Sequence, residues 1–221
     1  MSAAARVHGA QRVHRALVEA FSFPGRRVSL ADADLGLPPR RHVPSAVAAA
    51  CYTLLDGETR VAAAPDAAGQ EIARMTGAVL APVGEAAFLV VTDPTIDPTP
   101  LIAAASVGTL VAPHRGATVV VAVEAASPTG DADAPDADAA SSDAAVASTA
   151  TPVVRKLQLR GPGIASTTTI IVTAVGEWLA ARNDRVAEFP MGIDLILIDR
   201  DAGIIALPRT TRIREVAAWA M

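Results

Sequence analysis

The chain is poor in the residues that most often carry chemistry, with one cysteine, one lysine, one tyrosine and two tryptophans in 221 residues. Cys51, set in A-A-A-C-Y-T-L-L, rules out a disulfide framework and reads as a small buried apolar side chain. His8, His14, His42 and His114 show no H-x-H, H-E-x-x-H or His/Cys spacing, so no metal site is expected. There is no G-x-S-x-G elbow and no P-loop. Lys156 would be the one possible anchor for a pyridoxal-phosphate Schiff base, and its place beside a linker-like stretch predicts a solvent-facing side chain. No cofactor is expected. Aromatics are only 3% of a chain that is 51% hydrophobic, so Val, Ile, Leu and Ala must build the core, with Trp178, Trp219 and a few Phe as large fillers. A basic stripe is also missing: the net charge is −4, which argues against a nucleic-acid partner. No apolar run reaches the length of a membrane span, and residues 1–28 hold scattered charges instead of a signal-peptide core. These absences predict a soluble, cytoplasmic chain with no membrane association.

What is present centres on F-P-M-G-I-D-L-I-L-I-D-R-D-A-G-I-I-A-L-P-R-T-T, from Phe189 to Thr211. Ile193 to Ile198 and Ile204 to Leu207 are short, β-branched runs that read as strands, and Asp199 to Gly203 reads as their hairpin connection. Pro208 ends the second strand, and Arg209, Thr210 and Thr211 come directly after it. A guanidinium fork beside two hydroxyls suits a phosphate or carboxylate ligand. The alternative, ranked first on residue types alone, is that Arg209 pairs with a carboxylate and the threonines cap the next element. Asp194 lies inside the first of these strands, where a carboxylate must be paired, and Arg209 is the candidate partner.

Elsewhere, Val13, Ala16, Leu17, Ala20 and Phe21 form a helical stripe that ends at Pro24-Gly25. Val28 to Leu30 suggests a short strand, and Asp32 to Arg41 a polar, proline-rich loop. Helices are expected from Pro44-Ser45 to Leu55, from Ala67 to Met75 with Gly77 as C-cap, and from Pro98 to Ala105. Strands are expected at Thr59–Ala64, Val79–Leu80, Ala87–Thr92 and Ala117–Val123, with a further extended piece at Thr109–Pro113. Ala125 to Thr151 is acidic and almost free of large apolar residues, which predicts a disordered insertion acting as a solvated linker within a hairpin. Val153 to Arg160 reads as a strand, and Thr167-Thr168-Thr169 as the cap of a helix from Ile170 to Arg182. Arg212 to Met221 forms a short amphipathic tail. Gly161-Pro162-Gly163, placed between that strand and that helix, could cradle an anion with help from the helix N-terminus, although a tight turn explains it as well. Together these elements predict a single α/β domain over 1–221 with a central mixed sheet flanked by helices, interrupted at 125–151.

Several stretches resemble one family, the H subunit of the bacterial carbon–phosphorus lyase core complex. They are V-H-R-A-L-V-E-A-F-S-F-P-G-R (Val13 to Arg26), G-T-L-V-A-P-H-R-G-A-T (Gly108 to Thr118), G-P-G-I (Gly161 to Ile164), F-P-M-G-I-D-L-I-L (Phe189 to Leu197) and A-L-P-R-T-T (Ala206 to Thr211). The resemblance implies a fold like the large domain of pyridoxal-phosphate-dependent transferases without the cofactor. It also implies a homodimer that joins the G, I and J subunits in phosphonate catabolism. There it would support formation of a ribose 1-alkylphosphonate 5-triphosphate from phosphonate and ATP, without being catalytic alone. The resemblance further implies that the iron–sulfur radical chemistry belongs to the J subunit; this chain, with one cysteine, is not expected to hold such a cluster. Residues expected to touch the phosphonate or nucleoside triphosphate are Arg209, Thr210, Thr211, Gly161, Gly163 and Asp194. The rival reading is a stand-alone anion-binding transferase with its active site at a dimer interface.

Overall fold

Uninterrupted β-branched runs become strands buried on both faces, and their alternation decides which of two cores each side chain enters. The computed structural model describes residues 3–31, 35–129 and 151–216. Its central sheet has seven strands in the order β1 (Val28–Ser29), β10 (Gly203–Leu207), β9 (Asp194–Ile198), β5 (Thr118–Ala122), β4 (Phe88–Val91), β2 (Arg60–Ala64) and β3 (Val79–Leu80). Strands β9, β5, β4, β2 and β3 are parallel, while β10 runs antiparallel to both β9 and β1. In β9, Ile196 and Ile198 enter one core and Leu195 and Leu197 the other; in β10, Ile204 and Ala206 oppose Ile205 and Leu207 in the same way.

Helices α1 (Ala3–Ser22), α2 (Ser45–Leu54) and α3 (Asp66–Thr76) cover the first face through Val13, Leu17, Cys51 and Ile72. The second face is covered by α4 (Thr99–Ala104), by α5 (Trp178–Arg185) and by a four-stranded antiparallel sheet. That sheet has the order β11 (Arg212–Glu215), β7 (Val153–Arg160), β8 (Thr168–Ala174) and β6 (Ala125–Pro128). The expected mixed α/β architecture is therefore present, and the second sheet is an addition to it. No helix among the described residues is long and apolar enough to cross a membrane.

Four local expectations are corrected. The helix expected from Ile170 to Arg182 is instead strand β8 followed by α5 alone. In T-T-I-I-V-T-A the side chains of Ile170, Val172 and Ala174 are buried at alternate positions, and β-branching favours a pleated surface over a helix. Residues 125–128 are strand β6, paired with β8 from Ala125↔Thr173 to Pro128↔Ile170, not the start of an insertion. Since β8 lies between β6 and β7, the connection is no hairpin; residues 130–150, where the rest of the expected insertion falls, lie outside the described residues. Arg212 to Glu215 is strand β11, paired with β7, because Ile213 has a core position to fill; residues 217–221 lie outside the described residues. Thr109–Pro113 closes on itself instead of extending: Thr109 N–H donates to the Ala112 carbonyl and Ala112 N–H to the Thr109 carbonyl.

Candidate functional site

The amino ends of the parallel strands hold the residues singled out in the sequence. Arg209 lies just past the end of β10 and turns back onto Asp194, the first residue of β9. Its Nη2 lies 2.6 Å from Asp194 Oδ2, and its backbone N–H donates to Asp194 Oδ1 at 2.7 Å. Nε donates to both carboxylate oxygens, Nη1 to the Pro113 carbonyl at 2.7 Å, and Nη2 also to the Gly116 carbonyl. Gly116 must lack a side chain, since a Cβ there would run into the Gly192 carbonyl and the Arg209 guanidinium. Both arms of the fork thus serve to tie β9, β10 and the 113–116 turn together.

The other expected residues divide. Thr211 is buried with its hydroxyl unpartnered, whereas Thr210 is exposed. Gly161 packs on this turn, where a Cβ would come within 2.9 Å of the Thr210 carbonyl. Gly163 belongs elsewhere, wedged against the Ser22 carbonyl at the end of α1. The Gly161–Gly163 loop connects β7 to β8, so no helix N-terminus lies behind it to attract an anion. Sequence reasoning missed Arg182 of α5, which is fully buried and donates to the Pro208 carbonyl at 2.8 Å and to Asn183 Oδ1 at 3.2 Å. Burial pushes its pKa down to about 10, and the nearby Asp194 charge offsets part of that. One carboxylate therefore answers two guanidiniums here, one paired and one only near it.

The opposite, carboxyl edge of the sheet carries a cavity of about 650 Å³. It opens where the segments after β2, β4, β5 and β9 come together, lined by Pro65, Thr92, Val123 and Asp199 among others. From β2 the chain steps outward to β3, then returns to the other side of β2 as β4 and continues to β5 and β9. The strand order reverses between β2 and β4, with α3 on one face and α4 on the other. Ligands of open α/β sheets bind at such a switch point, outside the carboxyl ends of the strands.

The lining is basic and rich in donors. Arg40, Arg41, His42 and Arg200 line the cavity. Arg40 Nε is buried without a hydrogen-bond partner, and among the described residues neither Arg40 nor Arg41 enters an ion pair. Arg200 is held by Glu124 at 2.8 Å. The acidic residues of the wall are already engaged. Asp199 forms a two-point pair with Arg27, at 2.7 and 3.0 Å, and accepts from the N–H groups of Asp201 and Gly203; Asp93 accepts from Thr95. Helix α2 begins at this wall with Pro44 in the cap position and no side-chain cap, which leaves its first-turn N–H groups, those of Ser45, Ala46 and Val47, to a ligand or to water. Free guanidiniums facing an uncapped helix start form a receptor for a multiply charged oxyanion. The local signal was R-R-H-V-P-S directly before a helix, which as a sequence resembles any polar loop. Lys156, on β7 in the second sheet, is not among the lining residues.

HtxG of Stutzerimonas stutzeri, which carries a provisional name as a C-P lyase subunit protein, is 32% identical over 206 residues, covering 92% of this chain and 85% of HtxG. The family model described as bacterial phosphonate metabolism protein (PhnH) matches residues 2–214. With its ordered motifs, its mixed α/β core and a match of this extent, the chain belongs to the PhnH family of bacterial phosphonate metabolism proteins.

Proposed function

We propose that this chain works in phosphonate catabolism as a subunit of the carbon–phosphorus lyase core complex and holds a phosphate-bearing substrate at the carboxyl-edge cavity. The observation that best supports this is Arg40 and Arg41, without acidic partners, facing the uncapped start of α2 at the strand-order reversal. There they would neutralise a triphosphate or phosphonate and orient it, which serves formation of a ribose 1-alkylphosphonate 5-triphosphate from phosphonate and ATP. Arg209, with Nε, Nη1 and Nη2 donating inside the chain, acts in this reading as the clamp of the amino edge, and the anion falls to Arg40 and Arg41. The chain would act in the cytoplasm as a homodimer joined to the G, I and J subunits, and its fold would be a cofactor-free counterpart of the large domain of pyridoxal-phosphate-dependent transferases.

Titration calorimetry with inorganic triphosphate tests the site. Wild-type protein should bind, and Arg40→Ala/Arg41→Ala should bind roughly tenfold or more weakly, with a shallower dependence on salt. Equal affinity for the two proteins, both folded by circular dichroism, would remove the cavity from the proposal.

A further inference from the structure

The amino edge of the sheet displays apolar surface that the fold does not use. Val111 is 95% exposed and Phe189 74%, the two highest values among the described large apolar residues, and Leu110 beside Val111 is 61% exposed. Single exposed apolar side chains are ordinary. These are different because they stand on two loops that the chain locks together. Gly192 N–H donates to the Val107 carbonyl at 2.9 Å, and Arg209 joins Asp194, just after one loop, to the Pro113 carbonyl at the end of the other. A fixed apolar display loses little entropy on docking.

A groove of about 560 Å³ runs between these loops and helices α4 and α5, with Val107, Ala181 and Met191 in its lining. Its charge has one dominant sign. Asp184 and Glu188 are exposed and enter no ion pair among the described residues, Glu177 is held by Arg155, and Arg185 is the one guanidinium of the lining. We infer that this edge is a docking surface for a basic segment of a partner protein, which places an apolar side chain in the groove and cations against Asp184 and Glu188. Such docking leaves the cavity at the carboxyl edge open, so assembly and substrate access do not compete. The choice of probe proteins rests on the subunit reading above.

The test measures association of the full chain with purified G, I and J subunits, by light scattering and by surface-immobilised affinity measurement. Val111→Asp and Phe189→Glu should each weaken association roughly tenfold or more, because each puts a charge on exposed apolar surface beside the groove that the partner would cover. Asp184→Lys/Glu188→Lys should weaken it as well and flatten its salt dependence. All four positions are exposed, so the melting temperature of each variant should match the wild type. Arg40→Ala/Arg41→Ala should associate normally, which separates this surface from the cavity. Wild-type affinity in the Val111 and Phe189 variants overturns the inference and leaves the cavity reading intact. Loss of self-association with hetero-association unchanged also overturns it, by making a second copy the occupant. Failure of the wild-type chain to bind any of the three subunits overturns it together with the subunit reading.

Discussion

At the scale of single residues, the decisive fact is where the cations find partners. Arg209 and Asp194 are 16% and 20% exposed at the side chain, and each would leave the other's charge stranded if removed. Arg209→Ala should therefore cost about 2 to 3 kcal/mol, lowering the melting temperature by roughly 5 to 10 °C in a domain of this size. Arg209→Lys should recover only part of it, since an ammonium cannot reach Asp194, Pro113 and Gly116 at once. Differential scanning calorimetry of the two variants measures both effects, and a melting temperature unchanged in Arg209→Ala would show that the pair is dispensable. Cys51 supplies a pH prediction. Complete burial pushes its thiol from 9.0 up to about 12. The unfolded chain therefore loses this proton first, so the Cys51 contribution is whole below pH 9 and is lost progressively as the pH rises toward 12. Urea midpoints at pH 8 and pH 10 should fall further apart in the wild type than in Cys51→Ala. Equal differences would contradict the assignment. Asp194 as a carboxylate needing a partner was readable from its place in an apolar run. Its pairing with Arg209, the reading ranked first on residue types, is present, but the Pro113 and Gly116 carbonyls that share the fork were not readable.

Among the elements, β9 and β10 were the most legible, since their apolar runs are bounded by charge, Gly and Pro and cannot be mistaken for anything longer. Strand β8 was the least. Its threonines look like a helix cap, and the runs on either side of Val175 to Glu177 are too short for periodicity to separate a strand from a helix. Strand β6 was hidden for another reason: four residues of modest hydrophobicity become a strand only because β8 offers them an edge. Because β6 and β7 run parallel on either side of β8, the link has to cross β8 and return from the level of Ile170 to that of Ala174, a reach of roughly 17 Å that the remaining residues and a six-residue link can span. Replacing residues 132–148, which contain Ala and Val146 but no aromatic, Leu or Ile, by a six-residue Gly/Ser link should change the melting temperature by less than about 3 °C. A larger loss on thermal denaturation would assign that segment a structural role.

For the whole molecule, the seven-stranded sheet separates two kinds of surface. Its carboxyl edge gathers guanidiniums and open N–H groups around a cavity, and its amino edge shows clamped loops with apolar tips and acidic neighbours. That division suits a subunit that holds a charged ligand on one side and meets other chains on the other. Sequence alone determined the α/β class, most strand and helix positions, the need to pair Asp194, and the family, because these depend on local pattern and on motif order along the chain. Tertiary structure alone decided which guanidiniums remain free. Arg40 and Arg41 sit in a loop whose polarity says nothing by itself, and they come to line a cavity only when a reversal of strand order brings the segments after four strands to that loop. Arg209 carries the more distinctive motif, yet the fold sets Asp194 and two carbonyls against it and engages most of its donors. Whether a charge is available to a ligand depends on what long-range contacts leave unpaired, and no local stretch of sequence contains that information.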